Sequence, residues 1–318
     1  MSKLAIGIDI GGTNIKAALI DSAGRTSNFC KIPTNAKEGF TKTFISIQKL
    51  VQKYIDTVGR DNLVGIGCAC TGQVDSESGK VLYAASTIPE LSGFELKKEL
   101  QASSNLRVEV ENDVNAYALG EKWLGAARDI DNFICITLGT GIGGAIYKDG
   151  GIDHGYRGIA AEFGHMSIDI NGELCSCGNK GCFERYSSVT ALIKHFKEEL
   201  IKGGQSIVTK MVNGNLDSIN GEIIFAAKAS GDILATKIVN EYNEAIACGT
   251  VSLVHIFSPQ AVIFGGGITA LGDTFIEPIK EQLLLRLMPV FKEDLIVRRA
   301  ELEDNAAICG IARKLFYL

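Results

Sequence analysis

Apolar positions along this chain follow two rhythms. Leu4 to Asp9 is a short, nearly unbroken apolar run, and Ile15 to Ile20 is another. Gly11 and Gly12 stand between them, which predicts two antiparallel strands joined by a tight turn. Phe133 to Leu138 repeats the design, followed by Gly139-Thr140-Gly141-Ile142-Gly143-Gly144 and a strand from Ala145 to Tyr147. A strand, a glycine-rich turn and a strand therefore occur twice, roughly 130 positions apart, which predicts two related halves. Other stretches repeat at helical spacing. Phe40, Phe44, Ile47, Val51, Tyr54 and Val58 predict a helix over 39–58. Ser187 or Ser188 suits the cap of a helix carrying Val189, Leu192, Phe196 and Leu200, stopped by Gly203-Gly204. Long helical patterns run from Ile233 to Leu253 and from Phe275 to Leu287, where Pro278 fits only in the first turn. Val262-Ile263-Phe264 reads as a buried strand ending in Gly265-Gly266-Gly267. Strands alternating with helices predict an α/β protein. The helix ending at Trp123-Leu124-Gly125 leads into the second strand set, so a domain boundary is expected near residue 120.

Length and composition narrow the function classes. The 318 residues suit two domains of about 150. With 46% apolar and 22% charged residues, the chain buries enough surface to fold. The net charge is -5 and no run of Lys or Arg forms the stripe a nucleic-acid binder needs. No apolar run reaches the ~18 residues of a membrane span, and Met1 to Ile6 reads as a strand rather than a signal peptide, so a cytoplasmic protein is expected. Glycine is in excess, at 36 residues against roughly 22 for average usage. It gathers in turns where backbone must bend tightly or approach a ligand.

Three sets of residues carry candidate chemistry. In Asp9-Ile10-Gly11-Gly12-Thr13-Asn14-Ile15-Lys16, glycines let amide N–H groups crowd an anion, Thr13 offers a hydroxyl and Lys16 a charge. Asp9 at a strand end can hold Mg²⁺ through water. The spacing matches neither a P-loop nor a dinucleotide fingerprint. A plain glycine hairpin is the alternative reading, but Gly139-Thr140-Gly141 and Gly265-Gly266-Gly267 repeat the same phosphate-friendly chemistry. Secondly, three of the nine cysteines, Cys175, Cys177 and Cys182, fall within eight residues, and His165 precedes them. Three thiolates and an imidazole make a closed tetrahedral zinc set, structural rather than hydrolytic. Thirdly, Val110-Glu111-Asn112-Asp113 closes a strand and opens a helix. Asn112 suits the N-cap, and the helix dipole is expected to keep Asp113 ionised. An ionised Asp113 beside a hydroxyl can take its proton, although a merely capping carboxylate reads the same way. Cys68 and Cys70 read as core in an apolar strand, Trp123 as helix packing, and His154, His195 and His255, which show no partner pattern in the sequence, as surface or core residues.

Asp9-x-Gly-Gly-Thr-x-x-Lys16 resembles the first phosphate motif of the actin-like sugar kinases, Gly139 to Gly144 their second, and Gly265-Gly266-Gly267 their adenosine motif. Ala161-Glu162-Phe163-Gly164-His165 with Cys175-x-Cys177-Gly-x-x-Gly-Cys182-x-Glu184, and Glu111-Asn112-Asp113-x-Asn-Ala, are similar to the signatures of the ROK family of repressors, open reading frames and kinases. The resemblance covers nearly the whole chain. It implies an actin-like ATPase fold, ribonuclease H-like, with a ligand cleft between two lobes: 1–120 joined by a C-terminal helix 305–318, and 121–304. It implies ATP with Mg²⁺ on Asp9, Gly11, Gly12, Thr13, Lys16, Gly139, Thr140, Gly141, Gly265, Gly266 and Gly267. It makes Asp113 the base that activates a hexose 6-hydroxyl, and Gly72, Asn112, Glu162, His165 and Glu184 its sugar-binding companions. Zinc on His165, Cys175, Cys177 and Cys182 would orient the sugar loop. Glucose is the first expectation, N-acetylmannosamine the second and a β-glucoside the third; a homodimer is expected. A sugar-sensing repressor is the contrasting reading, disfavoured because the first phosphate motif starts at Asp9 and leaves no room ahead for a helix-turn-helix. Three departures stand out: Ala161 where Gly is usual, a small change on its face; Thr71 where Pro is usual; and Glu90, in the substrate-side segment 86–94, where Asn is frequent.

Overall fold

The computed structural model describes residues 3–84 and 88–317. The chain divides into two compact units, Met1–Asp131 with Ala145–Ala161 and Glu301–Leu318, and Asn132–Gly144 with Glu162–Ala300.

In the first unit, β1 (Leu4–Ile10), β2 (Asn14–Asp21) and β3 (Thr26–Pro33) form an antiparallel meander, and α1 (Phe40–Val58) leads to β4 (Leu63–Cys70). A small hairpin of β5 (Gln73–Asp75) and β6 (Lys80–Tyr83) precedes α2 (Leu96–Ser104), β7 (Val108–Asn112) and α3 (Asp113–Leu124). The sheet order is β3-β2-β1-β4-β7, with β4 and β7 parallel to β1. Strand alternation decides which helices cover which face. Ile6, Ile8, Ile10, Cys68 and Cys70 face α1 and α2 in one core, which is where the two cysteines were read to be. On the other face stand Ala5, Gly7, Gly67 and Ala69, and this run of small residues lets the C-terminal helix lie close.

In the second unit and the strand leading out of it, β8 (Phe133–Leu138), β9 (Ile142–Lys148) and β10 (Gly151–Ile152) form a second strand–turn–strand. That sheet has the order β10-β9-β8-β11-β12. The helices α4 (Glu184–Ser187), α5 (Val189–Ile201), α6 (Val208–Met211), α7 (Gly221–Ala229) and α8 (Ile233–Phe257) follow, then β11 (Ala261–Gly265), α9 (Asp273–Arg286), α10 (Pro289–Lys292) and β12 (Ile296–Arg299). The strands β8, β11 and β12 are parallel neighbours. The two sheets thus repeat one plan, a meander followed by two parallel strands, as the duplicated strand–turn–strand predicts. Pro278 departs from expectation. The helix α9 begins at Asp273, so Pro278 lies in its second turn rather than its first, and the Thr274 carbonyl loses its i+4 amide. Among the described residues no helix is long and apolar enough to cross a membrane.

Helix α11 (Ala306–Phe316) closes the first unit by packing on α3 and the sheet. The crossing is a glycine contact: a Cβ on Gly310 would collide with the Ala116 carbonyl, and one on Gly120 with the Ala306 carbonyl. Trp123 packs on Phe316 at 6.4 Å and Tyr317 at 6.1 Å, a helix-packing residue as read. Buried Glu121 ties the same seam, accepting from the amides of Ala126 at 2.8 Å, Glu301 at 3.0 Å and Leu302 at 2.9 Å. Gly310→Ala forces the two helices apart, with an expected loss of about 2–3 kcal/mol, read as a lowered denaturation midpoint in urea.

Candidate active site

In the first unit, three parallel strands end side by side. Asp9 of β1 pairs in register with Ala69 of β4, and Cys70 of β4 with Asn112 of β7. Asp9, Thr71 and the Asn112-Asp113 step therefore meet at the carboxyl ends of neighbouring strands, where open α/β sheets place ligands. Asn112 is the N-cap of α3. Its Oδ1 accepts from Val114 N at 2.9 Å and Asn115 N at 3.1 Å, while its Nδ2 donates to the Gly72 carbonyl at 2.9 Å and to Asp113 Oδ1 at 3.0 Å. Every hydrogen-bonding valence of that side chain is in use, and it fixes Asp113. Gly72 has φ 100°, and a Cβ there would stand 2.6 Å from the Tyr83 carbonyl.

Asp113 is partly open to solvent yet crowded by protein on most sides. Burial, then the Asp9 charge, push its carboxyl up to about 7, against the amides of Val114 and Asp113 and the Thr71 hydroxyl, which favour the anion. The sequence-based expectation was an Asp kept ionised by the helix terminus. Desolvation outweighs those donors, so the group is a stronger base than an ordinary aspartate. Thr71, where Pro is usual, contributes one of the opposing hydrogen bonds.

Beside it, Lys16 Nζ lies 3.6 Å from Asp9 Oδ2 and 3.0 Å from Asp304 Oδ1. Burial works against the lysine's charge, but Asp9 and Asp304 outweigh it and raise its pKa. The glycine turn closes through Gly11 N to the Asn14 carbonyl at 3.1 Å. Gly12 has no heavy atom within 4 Å of where a Cβ would stand, and the same holds for Gly139 and Gly267.

Sequence reasoning missed the group behind the base. Glu111 is fully buried, and its Oε2 meets His154 Nε2 at 2.9 Å and Lys314 Nζ at 3.0 Å. Its Oε1 accepts from Asn112 N and from Asn115 Nδ2, each at 3.1 Å. The sequence holds no partner pattern for His154, and only the folded chain supplies one, because Glu111 lies 43 residues away. Burial opposes the Glu111 anion, but His154 and Lys314 win and hold the carboxyl down to about 2. Its contribution to stability is therefore complete above the ordinary carboxylate range and lost as pH falls toward 2. Lys314→Met raises that pKa, so the acid transition, followed by circular dichroism, is expected to begin at higher pH. At neutral pH the loss is about 2 kcal/mol, below the figure for a wholly buried pair because Lys314 is partly exposed.

In the second unit, Gly139, Thr140, Asn220, Glu222, Gly267 and Leu271 line a recess of about 540 Å³, within the usual range of ligand pockets. It brings together the second and third glycine turns. Gly266 takes φ 96° and a Cβ on it would enter the Leu138 backbone, so that turn needs glycine for its own fold. Gly265 ends β11 directly before it. The walls from α5 and α7 were not foreseen; the Asn220-Gly221-Glu222 helix start was the available signal.

Glu184 Oε2 accepts from Ile142 N at 3.1 Å and lies against Gly141. It begins α4, two residues after Cys182. His165, Cys175, Cys177 and Cys182 converge, with one ligand atom from each within 4.8 Å of the others. Cys177 Sγ lies 3.5 Å from Cys182 Sγ, and Cys175 Sγ 3.7 Å from His165 Nδ1. Ligands of a tetrahedral zinc stand roughly 3.8 Å apart for ~2.3 Å bonds, so this set fits such an ion. Glu162 is exposed just before His165.

Two departures from the family pattern acquire physical meaning here. Ala161 takes φ 67°, the left-handed region. Alanine in place of glycine is therefore a strained change rather than a small one, costing about 1 kcal/mol. Ala161→Gly is expected to raise the melting temperature by a few degrees in a calorimetric scan. Glu90 also takes the left-handed region, with φ 69°, a conformation that Asn adopts more readily than Glu. Its carboxylate accepts from Thr41 N at 3.2 Å and Thr41 Oγ1 at 2.8 Å, capping α1 from outside. Ser86 and Thr87 of the same segment lie outside the described residues.

The ROK family model matches residues 5–315 of the chain. This protein belongs to the ROK family. The chain is 32% identical over 307 residues to a glucokinase of Thermotoga maritima, covering 96% of this chain and 95% of that one. It is 31% identical over 311 residues to a xylose repressor of Caldicellulosiruptor bescii, covering 96% of this chain and 76% of the repressor. A ROK family glucokinase of Streptomyces griseus, solved in complex with glucose and AMPPNP, superposes with a TM-score of 0.86 at 33% identity, covering 97% of this chain and 98% of that one. The fold of this ROK protein is accordingly the actin-like ATPase fold, and its two sheets are the paired halves of that fold.

Proposed function

We propose that this ROK protein is a kinase that transfers the γ-phosphoryl group of ATP to the 6-hydroxyl of a hexose, glucose first. The observation that carries the reading is the Asp113 carboxylate set at the strand ends and held by Asn112 Nδ2 at 3.0 Å, where burial and the Asp9 charge raise it toward the pH at which a general base works best. In this reading Asp113 takes the proton of the hydroxyl as its oxygen bonds to the γ-phosphorus, and ADP leaves with the electron pair of the broken P–O bond. Asn112, through its bond to Asp113, holds the carboxylate in line. Gly12, Gly139 and Gly267 support phosphate and nucleotide contacts because the fold itself does not require glycine at those positions. Gly11, Thr13, Lys16, Thr140 and Gly141 complete the anion cradles, with Gly265 and Gly266 beside the nucleoside. Asp9 is the carboxylate that would hold magnesium through water; when bound, that ion supplies neutralising charge to the phosphates. Gly72, Glu162, His165 and Glu184 are the proposed sugar contacts, and zinc on His165, Cys175, Cys177 and Cys182 would fix the histidine tautomer. The two units are then the two lobes of the kinase, and a cytoplasmic homodimer is the proposed setting.

Glucose is supported by the relatives named glucokinase and by the glucose in the S. griseus complex. A coupled ADP-release assay over glucose, N-acetylmannosamine, a β-glucoside and other hexoses tests the reading. ADP release on glucose at least tenfold above the others supports it. Turnover on N-acetylmannosamine or the β-glucoside alone moves the substrate to that sugar. ATP-dependent release on none of them favours the non-catalytic role suggested by the xylose repressor relative.

A further inference from the structure

Lys16 and Lys31 stand directly opposite each other on β2 and β3. Like charges in facing strand positions repel, so the pair calls for an anion between them. Asp304 supplies it. Its Oδ1 lies 3.0 Å from Lys16 Nζ and its Oδ2 3.5 Å from Lys31 Nζ, one carboxylate oxygen for each cation. Asp9 adds a second carboxylate, 3.6 Å from Lys16 Nζ. Two carboxylates face two ammonium groups, so little net positive charge is left for an arriving phosphate. The carboxylate of Asp304 holds Lys16 as a phosphate group would hold it, through an anionic oxygen at hydrogen-bond distance.

The two carboxylates differ in how firmly they are placed. Asp9 belongs to β1, and its side chain is 13% exposed. The side chain of Asp304 is 55% exposed and sits on the short turn Glu303–Asn305 that precedes α11. Glu303, just before it, takes φ 49°, a left-handed conformation that strains a residue other than glycine. Leaving the lysines would return Asp304 to water and let that turn relax. We propose that Asp304 is a built-in anion that competes with nucleotide phosphate for Lys16 and so holds down the affinity of the first glycine turn for phosphate anions. It touches no reacting atom and acts only through the lysine it occupies. The proposal rests on the reading of Lys16 as part of the phosphate cradle.

Equilibrium dialysis of labelled ADP against the intact protein, without added magnesium, tests this. Asp304→Asn removes the charge at an exposed position and is expected to tighten ADP binding about tenfold, the order of effect of one nearby unit charge at a surface screened by salt. Asp304→Glu keeps the charge and should bind ADP within about twofold of the wild type. A purely structural Asp304 would give the opposite sign, because loosening the turn before α11 weakens binding rather than tightening it. ADP binding that is unchanged or weaker in Asp304→Asn, or equally tightened in Asp304→Glu, overturns the proposal. Lys16→Met tells that failure from failure of the phosphate reading. If Lys16→Met binds ADP as the wild type does, the cradle reading of Lys16 falls and the proposal with it. If Lys16→Met loses ADP while Asp304→Asn gains none, the proposal alone falls.

Discussion

Asp113→Asn is expected to lower kcat about a thousandfold, in the middle of the range for loss of a general base, with little change in the KM for ATP. The recess among Gly139, Asn220 and Gly267 belongs to the second unit and Asp113 to the first, so a fall confined to kcat separates a base from a phosphate ligand. The wild type should show a pH–rate profile that climbs one decade per unit below about 7 and levels above it, because only the anion accepts a proton. The variant should lose that limb. Stability runs the other way. The folded-state pKa of Asp113 is raised above the ordinary 3.8, so ionisation costs the folded state nothing below pH 4 and progressively more up to pH 7. Asn carries no such cost. The variant should therefore melt higher than the wild type at pH 8, with the gap closing toward pH 4. A variant that is inactive and also less stable at pH 8 would mean that Asp113 is a helix cap and not a base held at a cost in stability.

That trade-off was only half legible in the sequence. The segment Glu111-Asn112-Asp113 announces a cap and a carboxylate, since both follow from residue type and position. The direction of the Asp113 shift depends first on burial and then on Asp9, which is brought alongside by strand pairing across β1, β4 and β7. No local pattern records that adjacency. The same limit explains Glu111, whose partners His154 and Lys314 come from a loop and from the last helix. The periodic elements were more readable. The helix expected over 39–58 is α1 at Phe40–Val58, and the strands expected at 4–9 and 15–20 are Leu4–Ile10 and Asn14–Asp21. Periodicity reports the one buried face of α1, and an unbroken apolar run reports strands buried on both faces. Backbone strain left no such trace. Alanine at position 161 looks harmless until its φ of 67° is seen.

Removing the metal set gives the second large effect. The protein should carry one zinc per chain by elemental analysis, and Cys177→Ser should abolish it. Cys177 is the exposed member of the set, so the substitution itself disturbs little packing, and any large consequence comes from the ion. Without a dication, burial and the neighbouring sulfurs push the Cys182 thiol up to about 12, while the amide of Cys177 helps hold Cys175, against burial, at about 7. The three sulfurs then cannot all be thiolates at neutral pH, and the knuckle loses the charge pattern that closes it. Cys182 forms an isolated antiparallel bridge with Ser167 and leads directly through Phe183 to Glu184, while His165 is itself a ligand. Loss of the ion thus loosens two proposed sugar contacts together and leaves Asp113, in the other unit, as it was. The sugar KM is expected to rise 10–100-fold, the usual penalty for an unsupported ligand shell, with kcat at saturating sugar reduced far less. A chelator should reproduce the change, and added zinc should reverse it in the wild type but not in Cys177→Ser. An unchanged sugar KM in zinc-free protein would separate the metal from the sugar and confine the four ligands to holding the chain together.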